Sequence, residues 1–162
     1  MEENKIYTGC GDKGYTQNAK CETLPKYHPA IELVGTIDEF TSMLGIARAN
    51  AADEALKEDI KKIQIKLISV MGEISGGGKC VDKDLILTVE KLCDKYLDKP
   101  IVCFKLPGEN MTSAILDMAR SIVRRAERTA AKLLHEGEIS CDMYVCLNRL
   151  SDLCYAMARY VE

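Results

Sequence analysis

Met111-Thr-Ser-Ala-Ile-Leu-Asp-Met-Ala-Arg120-Ser-Ile-Val-Arg124-Arg125-Ala-Glu127-Arg128-Thr-Ala-Ala-Lys-Leu-Leu-His135-Glu-Gly137 reads as one long helix, from Met111 to about His135, closed by Gly137 as its C-terminal cap. Inside it Arg120, Arg124 and Arg128 recur at i, i+4 and i+8, so three guanidinium groups share one face. Like charges four residues apart repel by roughly a few tenths of a kcal/mol each. Such a stripe either lies solvated, with Glu127 as a partial counterion, or binds an anion.

Outward from that segment the chain reads as helices joined by short breaks. Pro29 suits a first helical turn, and Ile31, Val34, Ile37, Leu44 and Ala47 form an expected core stripe on a helix from Ala30 to about Ala52. A second helix starts near Asp53, turns Ile60, Ile63, Leu67, Val70 and Ile74 inward, and stops at Gly76-Gly77-Gly78. A shorter helix follows Asp84, and Ile101 to Gly108 reads as an extended stretch ending in a Pro107-Gly108 turn. Ser140 to Tyr160 is the last helix. Four long helices and one short one make an all-α, five-helix bundle, with residues 1–27 as an irregular N-terminal arm and 28–162 as the bundle of one domain.

Composition bounds the function. With 162 residues, 47% of them apolar and 29% charged, the chain is an ordinary globular domain. A net charge of -3 excludes a broadly basic surface for nucleic acid or anionic membranes, so any anion site is local. No apolar leader or spanning run is visible, and a cytoplasmic protein with no membrane partner is expected. Eight cysteines form no Cys-x-x-Cys pair and only two histidines accompany them, so no zinc or redox motif is visible and reduced thiols are expected, several of them in helix interiors.

One further stretch invites a ligand. Gly9-Cys10-Gly11-Asp12-Lys13-Gly14-Tyr15-Thr16 matches G-x-G-x-x-G, but it does not join a strand to a helix in a βαβ unit, which that fingerprint requires. What survives is a glycine-rich loop, with Thr8, Lys13 and Thr16, whose backbone N–H groups can approach phosphate oxygens.

Five blocks together resemble the PduO-type ATP:cob(I)alamin adenosyltransferases. They are Tyr7-Thr8-x-x-Gly11-Asp12-x-Gly14-x-Thr16; Lys26-x-His28-Pro29-x-Ile31-Glu32-x-x-Gly35-Thr36-Ile37-Asp38-Glu39; Phe104-x-Leu106-Pro107-Gly108; Ala119-Arg120-x-x-x-Arg124-Arg125-Ala126-Glu127-Arg128; and Leu147-Asn148-Arg149-Leu150-Ser151-Asp152 with Ala158-Arg159-Tyr160. They occur in family order and span nearly the whole chain.

The resemblance implies a homotrimer with ATP and corrinoid bound between adjacent subunits. It also implies transfer of the 5'-deoxyadenosyl group of ATP to cobalt(I) of cobalamin or another corrinoid, giving adenosylcobalamin and triphosphate. Carried over by position, Thr8, Gly9, Cys10, Gly11, Thr16 and Gln17 wrap the triphosphate and Lys26 neutralises part of its charge. Arg124, Arg125, Glu127, Arg128 and Asn148 complete the site for ATP with Mg2+, which has no direct protein ligation. Asp38 pairs with Arg120 across the subunit interface, and Phe104 lies under the corrin ring, where it excludes the lower axial ligand and eases reduction to cobalt(I). Arg124 and Phe104 are the catalytic candidates, and a reductase or corrinoid-dependent acceptor enzyme would be a further partner.

Read without the resemblance, Phe104 is a core aromatic, and Asp38 and Arg120 are ordinary surface charges. The chain departs from the family pattern at Gly9-Cys10, where a basic residue and often a threonine are usual, so one phosphate-neutralising charge is missing. It ends at Glu162, so a short C-terminal closure of the corrinoid site is expected. These departures keep open a non-catalytic relative that delivers a corrinoid or senses a nucleotide.

Overall fold

A computed structural model describes residues 6–97 and 105–162. Phe104, with most of the expected extended stretch, lies outside the described residues. Within them the chain order is β1 (Tyr15–Gln17), β2 (Thr23–Pro25), α1 (Pro29–Asn50), α2 (Glu54–Ile74), α3 (Lys83–Tyr96), α4 (Met111–His135) and α5 (Cys141–Tyr160). The all-α bundle expected from the sequence is the architecture observed.

Each helix starts where a side chain can accept an otherwise orphaned backbone N–H. His28, with Pro29 at the first helical position, begins α1, and Asp53, Asp82 and Ser140 begin α2, α3 and α5. At α4, Asn110 and Ser113 form a reciprocal capping box. Each such cap stabilises by about 1 kcal/mol. At the far end of α4, Gly137 takes a φ of +76°, the left-handed conformation that a C-terminal cap requires.

Packing gives α4 the central place. It lies between α1 and α5, while α2 packs on α1 and α3 on α5. The core draws Leu33, Ile37, Phe40, Leu44 and Ala47 from α1 and Leu116, Val123, Ala126, Ala130 and Leu133 from α4. The expected α1 stripe is thus corrected in part: Ile31 and Val34 are only half-buried, and Leu33 and Phe40 take their places. Helix α1 carries apolar residues on more than one face, so spacing could not choose among them. Contact with both α2 and α4 makes the choice.

The N-terminal arm is less irregular than its sequence implies. Strands β1 and β2 pair antiparallel, with Tyr15 opposite Pro25, Thr16 opposite Leu24 and Gln17 opposite Thr23. Asn18 organises the turn between them, its Oδ1 accepting from the backbone N–H groups of Lys20 and Glu22, each at 2.9 Å. The turn then docks on the bundle, where Ala19 N–H donates to the Ser75 carbonyl at 2.8 Å, just past α2. Strands of three residues are too short to show alternation.

Helix α2 is closed against α3 by a polar cluster. Asp59 is 7% exposed and its Oδ2 accepts from Lys95 Nζ at 2.6 Å and Tyr96 OH at 2.8 Å, while Oδ1 accepts from Lys62 at 3.1 Å. Burial alone would raise the Asp59 carboxyl, but hydrogen bonds from Lys95, Tyr96 and Lys62 outweigh it and hold the group below its ordinary value. The Tyr96 phenol is pushed up to about 12, first by burial and then by its bond to Asp59.

Asp59→Ala leaves Tyr96 without its acceptor and should cost about 2 kcal/mol in urea unfolding. Because the Asp59 value is lowered on folding, its contribution is present above the unfolded value of about 3.9 and is lost as pH falls through the lower folded value. Asp59→Asn should therefore flatten the loss of stability that the wild-type protein shows below about pH 4.

Candidate functional site

The buried face of α4 dictates where its arginines go. With Ala119, Ile122, Val123, Ala126 and Ala130 turned inward, Arg124, Arg125 and Arg128 are exposed and Arg120 is half-buried. The four residues then part company. Arg120 lies with its guanidinium carbon 5.9 Å from the Tyr155 ring centre and its Nε 3.9 Å from Asp117, and that Nε is buried without a hydrogen-bond partner. Asp117 is already taken by Arg159, at 2.6 Å. Asp38 is exposed on α1, and among the described residues it forms no ion pair with Arg120.

Arg125 forms an ion pair with Glu39 of α1. Both side chains are about half exposed, and such surface pairs contribute little to stability. Arg128 turns back to donate to the Arg124 carbonyl at 3.1 Å. Arg124 itself has no carboxylate partner among the described residues. Exposed and in the middle of the stripe, it is open to an anion.

Glu127 does not act as the stripe's counterion. Its Oε1 accepts from Asn148 Nδ2 at 2.9 Å and from Tyr144 OH at 3.3 Å, both on α5. The Glu127 charge, with some burial, raises the Tyr144 phenol above its ordinary value, so Tyr144 remains a donor. Tyr144 was missed in the sequence, although its spacing of four from Asn148 puts both on one helix face. Arg149 was quoted without a role, yet its Nη1 donates to Asn148 Oδ1 at 2.7 Å and its Nε to Glu90 Oε1 at 2.8 Å.

The glycine-rich loop forms a second group. Thr8, Gly9 and Cys10 are exposed, Thr16 is half-buried on β1 and Gln17 exposed beside it. Successive turns, Asp12 N–H to the Gly9 carbonyl and Gly14 N–H to the Gly11 carbonyl, each 3.2 Å, curl the backbone. Lys26 crosses this curl: its N–H donates to the Gly14 carbonyl at 2.8 Å, and its Nζ lies 2.9 Å from where a Gly11 Cβ would stand. Only glycine at position 11 lets that ammonium come so close. No hydrogen bond or ion pair of the described residues joins this loop to the α4–α5 group.

Cysteine and metal chemistry find little footing. Burial pushes the Cys93 thiol up to about 11 and Cys146 up to about 12, and raises Cys154 as well, so all three are thiols near neutral pH. Cys10 is exposed, and its Sγ lies 3.9 Å from the Thr8 carbonyl oxygen. Among the described residues, no three His, Cys, Asp or Glu side chains are grouped to hold a metal ion, and no helix is long and apolar enough to cross a membrane.

The exposed Arg124, the curled glycine loop with Lys26 across it and the Glu127 carboxylate held by Asn148 are the features of the fold that bear on function. The family model for cobalamin adenosyltransferase matches residues 6–161. This chain belongs to the cobalamin adenosyltransferase family. Among its relatives, the corrinoid adenosyltransferase of Mus musculus is 32% identical over 170 residues, covering 96% of this chain and 72% of that protein. That of Bacillus subtilis is 35% identical over 171 residues, covering 98% and 86%. A variant PduO-type ATP:corrinoid adenosyltransferase from Lactobacillus reuteri, solved with cobalamin and ATP, superposes with a TM-score of 0.90 at 30% identity, over 97% of this chain and 90% of that one.

The repulsion along the adenosyltransferase stripe is relieved by a bound anion, so inorganic triphosphate should raise the melting temperature. At one hundred times its Kd the gain is about 2.7 kcal/mol, or roughly 5–10 °C for a domain of this size. Scanning calorimetry with and without triphosphate checks it.

Proposed function

We propose that this chain transfers the 5'-deoxyadenosyl group of ATP to the cobalt(I) of a corrinoid, giving adenosylcobalamin and triphosphate, as one subunit of a homotrimer. Family membership supports the reaction. The observation that carries the site assignment is Arg124, an exposed guanidinium in the middle of a cationic stripe, without a carboxylate partner among the described residues.

In this reaction the cobalt(I) of the substrate is the nucleophile and attacks C5' of the ribose. Triphosphate leaves with the bonding pair, and no protein nucleophile is required. The protein orients C5' and stabilises negative charge on the leaving group. Arg124, with its planar fork, binds phosphate oxygens, and Arg128 of the same stripe and Lys26 of the N-terminal loop add positive charge. The curled backbone of residues 8–17 supplies N–H donors. Arg125, engaged by Glu39, acts on the nucleotide only by giving up that weak surface pair.

The donor set fits a magnesium nucleotide. Both donors to Glu127 fall on Oε1, which leaves Oε2 able to accept from the waters of Mg2+, and Mg2+ bound through phosphates characteristically keeps several waters. When bound, Mg2+ neutralises part of the charge on the phosphates. In the same reading Asp38 meets Arg120 of a neighbouring subunit, which would satisfy the buried Nε that lacks a partner among the described residues. Phe104 keeps its proposed place under the corrin ring, and a reductase supplies cobalt(I).

Purified protein given ATP, Mg2+ and chemically reduced corrinoid should form adenosylcobalamin, followed by its absorption spectrum, with one triphosphate per turnover. Absence of turnover would sink this reading, and corrinoid binding without turnover would favour delivery or sensing instead. Arg124→Ala should lower kcat/KM by about 100- to 1,000-fold, as expected when a contact made to developing charge is lost.

A further inference from the structure

A continuous line of hydrogen bonds runs from α3 through α5 to α4. Glu90 Oε1 accepts from Arg149 Nε at 2.8 Å, Arg149 Nη1 donates to Asn148 Oδ1 at 2.7 Å, and Asn148 Nδ2 donates to Glu127 Oε1 at 2.9 Å. Tyr144 OH reaches the same Oε1 at 3.3 Å. None of Glu90, Arg149 and Tyr144 has a part in the site assigned above.

The chemistry of the amide makes this line directional. An asparagine side chain has two orientations that exchange its acceptor and its donor. In the orientation present, Oδ1 faces a guanidinium, which can only donate, and Nδ2 faces a carboxylate, which can only accept. Turned over, the amide would set N–H against N–H on the Arg149 side and oxygen against oxygen on the Glu127 side. Two charge-assisted hydrogen bonds would become two repulsions. Arg149 is itself held, because its Nε is bound to Glu90 and its side chain is 37% exposed rather than free in solvent.

We infer that Arg149, anchored on Glu90, is a positioning residue for the nucleotide site: it locks the Asn148 amide so that Asn148 and Tyr144 both hold Oε1 of Glu127 and leave Oε2 for magnesium-bound ATP. This rests on the proposed assignment of Glu127 and Asn148 to that site. Helix α3, which contributes no residue to the site, sets the geometry of the carboxylate through its one glutamate. The sequence distance is large, since Glu90 lies 59 residues before Arg149.

The full-length protein tests this in adenosylcobalamin formation, varying ATP and free Mg2+ separately. Arg149→Met should raise the KM for ATP, and the Mg2+ concentration for half-maximal rate, by about tenfold, the loss of one hydrogen bond to a charged group. The KM for corrinoid should change less than twofold. Tyr144→Phe should move the same two constants in the same direction by a smaller factor. The exchange Glu90→Arg with Arg149→Glu separates positioning from a simple helix tether. It restores the α3–α5 ion pair, and so the melting temperature, but offers Asn148 Oδ1 no donor.

Recovery of melting temperature with ATP and Mg2+ constants still raised supports the inference. Recovery of both overturns it, as do unchanged constants in a folded Arg149→Met. If the wild-type protein forms no adenosylcobalamin, the site assignment fails and this inference with it. An active wild type with an indifferent Arg149→Met removes only the positioning role.

Discussion

The buried face of α4 is the constraint on which the rest depends. Leu116, Ala119, Val123, Ala126, Ala130 and Leu133 are fully or almost fully buried, and a helix so committed has one rotation about its axis. The small side chains at 119, 126 and 130 let α1 and α5 approach closely, while the larger ones fill the spaces between. That rotation turns Arg124, Arg125 and Arg128 to the outside and leaves Glu127 at the seam with α5. Burial energy at each large side chain, about 1.5–3 kcal/mol, exceeds the few tenths by which neighbouring arginines repel. Packing therefore wins, and the cationic stripe is carried as a cost.

Polar anchors then complete what packing begins. Asp59 ties α2 to the end of α3, Glu90 and Arg149 tie the middle of α3 to α5, and Glu127 receives two donors from α5. The last two join helices that the apolar core already brings together, whereas Asp59 links two helices that pack chiefly on other neighbours. A buried carboxylate with three donors sets a unique distance in a way that apolar contact does not. The α4–α5 seam combines both kinds of constraint.

Much of this was legible in the chain. Caps at Asp53, Ser140 and Gly137 and the apolar periodicity of α2 located the helices, since these signals act within one or two turns. The arginine stripe followed from spacing alone, and the blocks from Tyr7 to Tyr160 carried the family. The hairpin at 15–25 was not legible, because its strands are too short to alternate and its turn depends on one asparagine side chain. The inward face of α1 was legible only in part, because Ile31 and Val34 are as apolar as Leu33 and Phe40. Tyr144 and Arg149 went unassigned for the same reason: nothing local distinguishes a partnered side chain from a solvated one.

By itself, then, the sequence determined the five helices, the arginine stripe and membership of the adenosyltransferase family. These depend on interactions between residues a few positions apart, or on patterns that survive without coordinates. Only the tertiary structure decided that Arg125 is met by Glu39, that Lys26 lies across Gly11, that Glu127 serves Asn148 and Tyr144 rather than the arginines, and that Arg149 reaches Glu90. Charged side chains have several partners of suitable sign along any chain. Which one is reached depends on how helices distant in sequence are brought side by side and rotated about their axes.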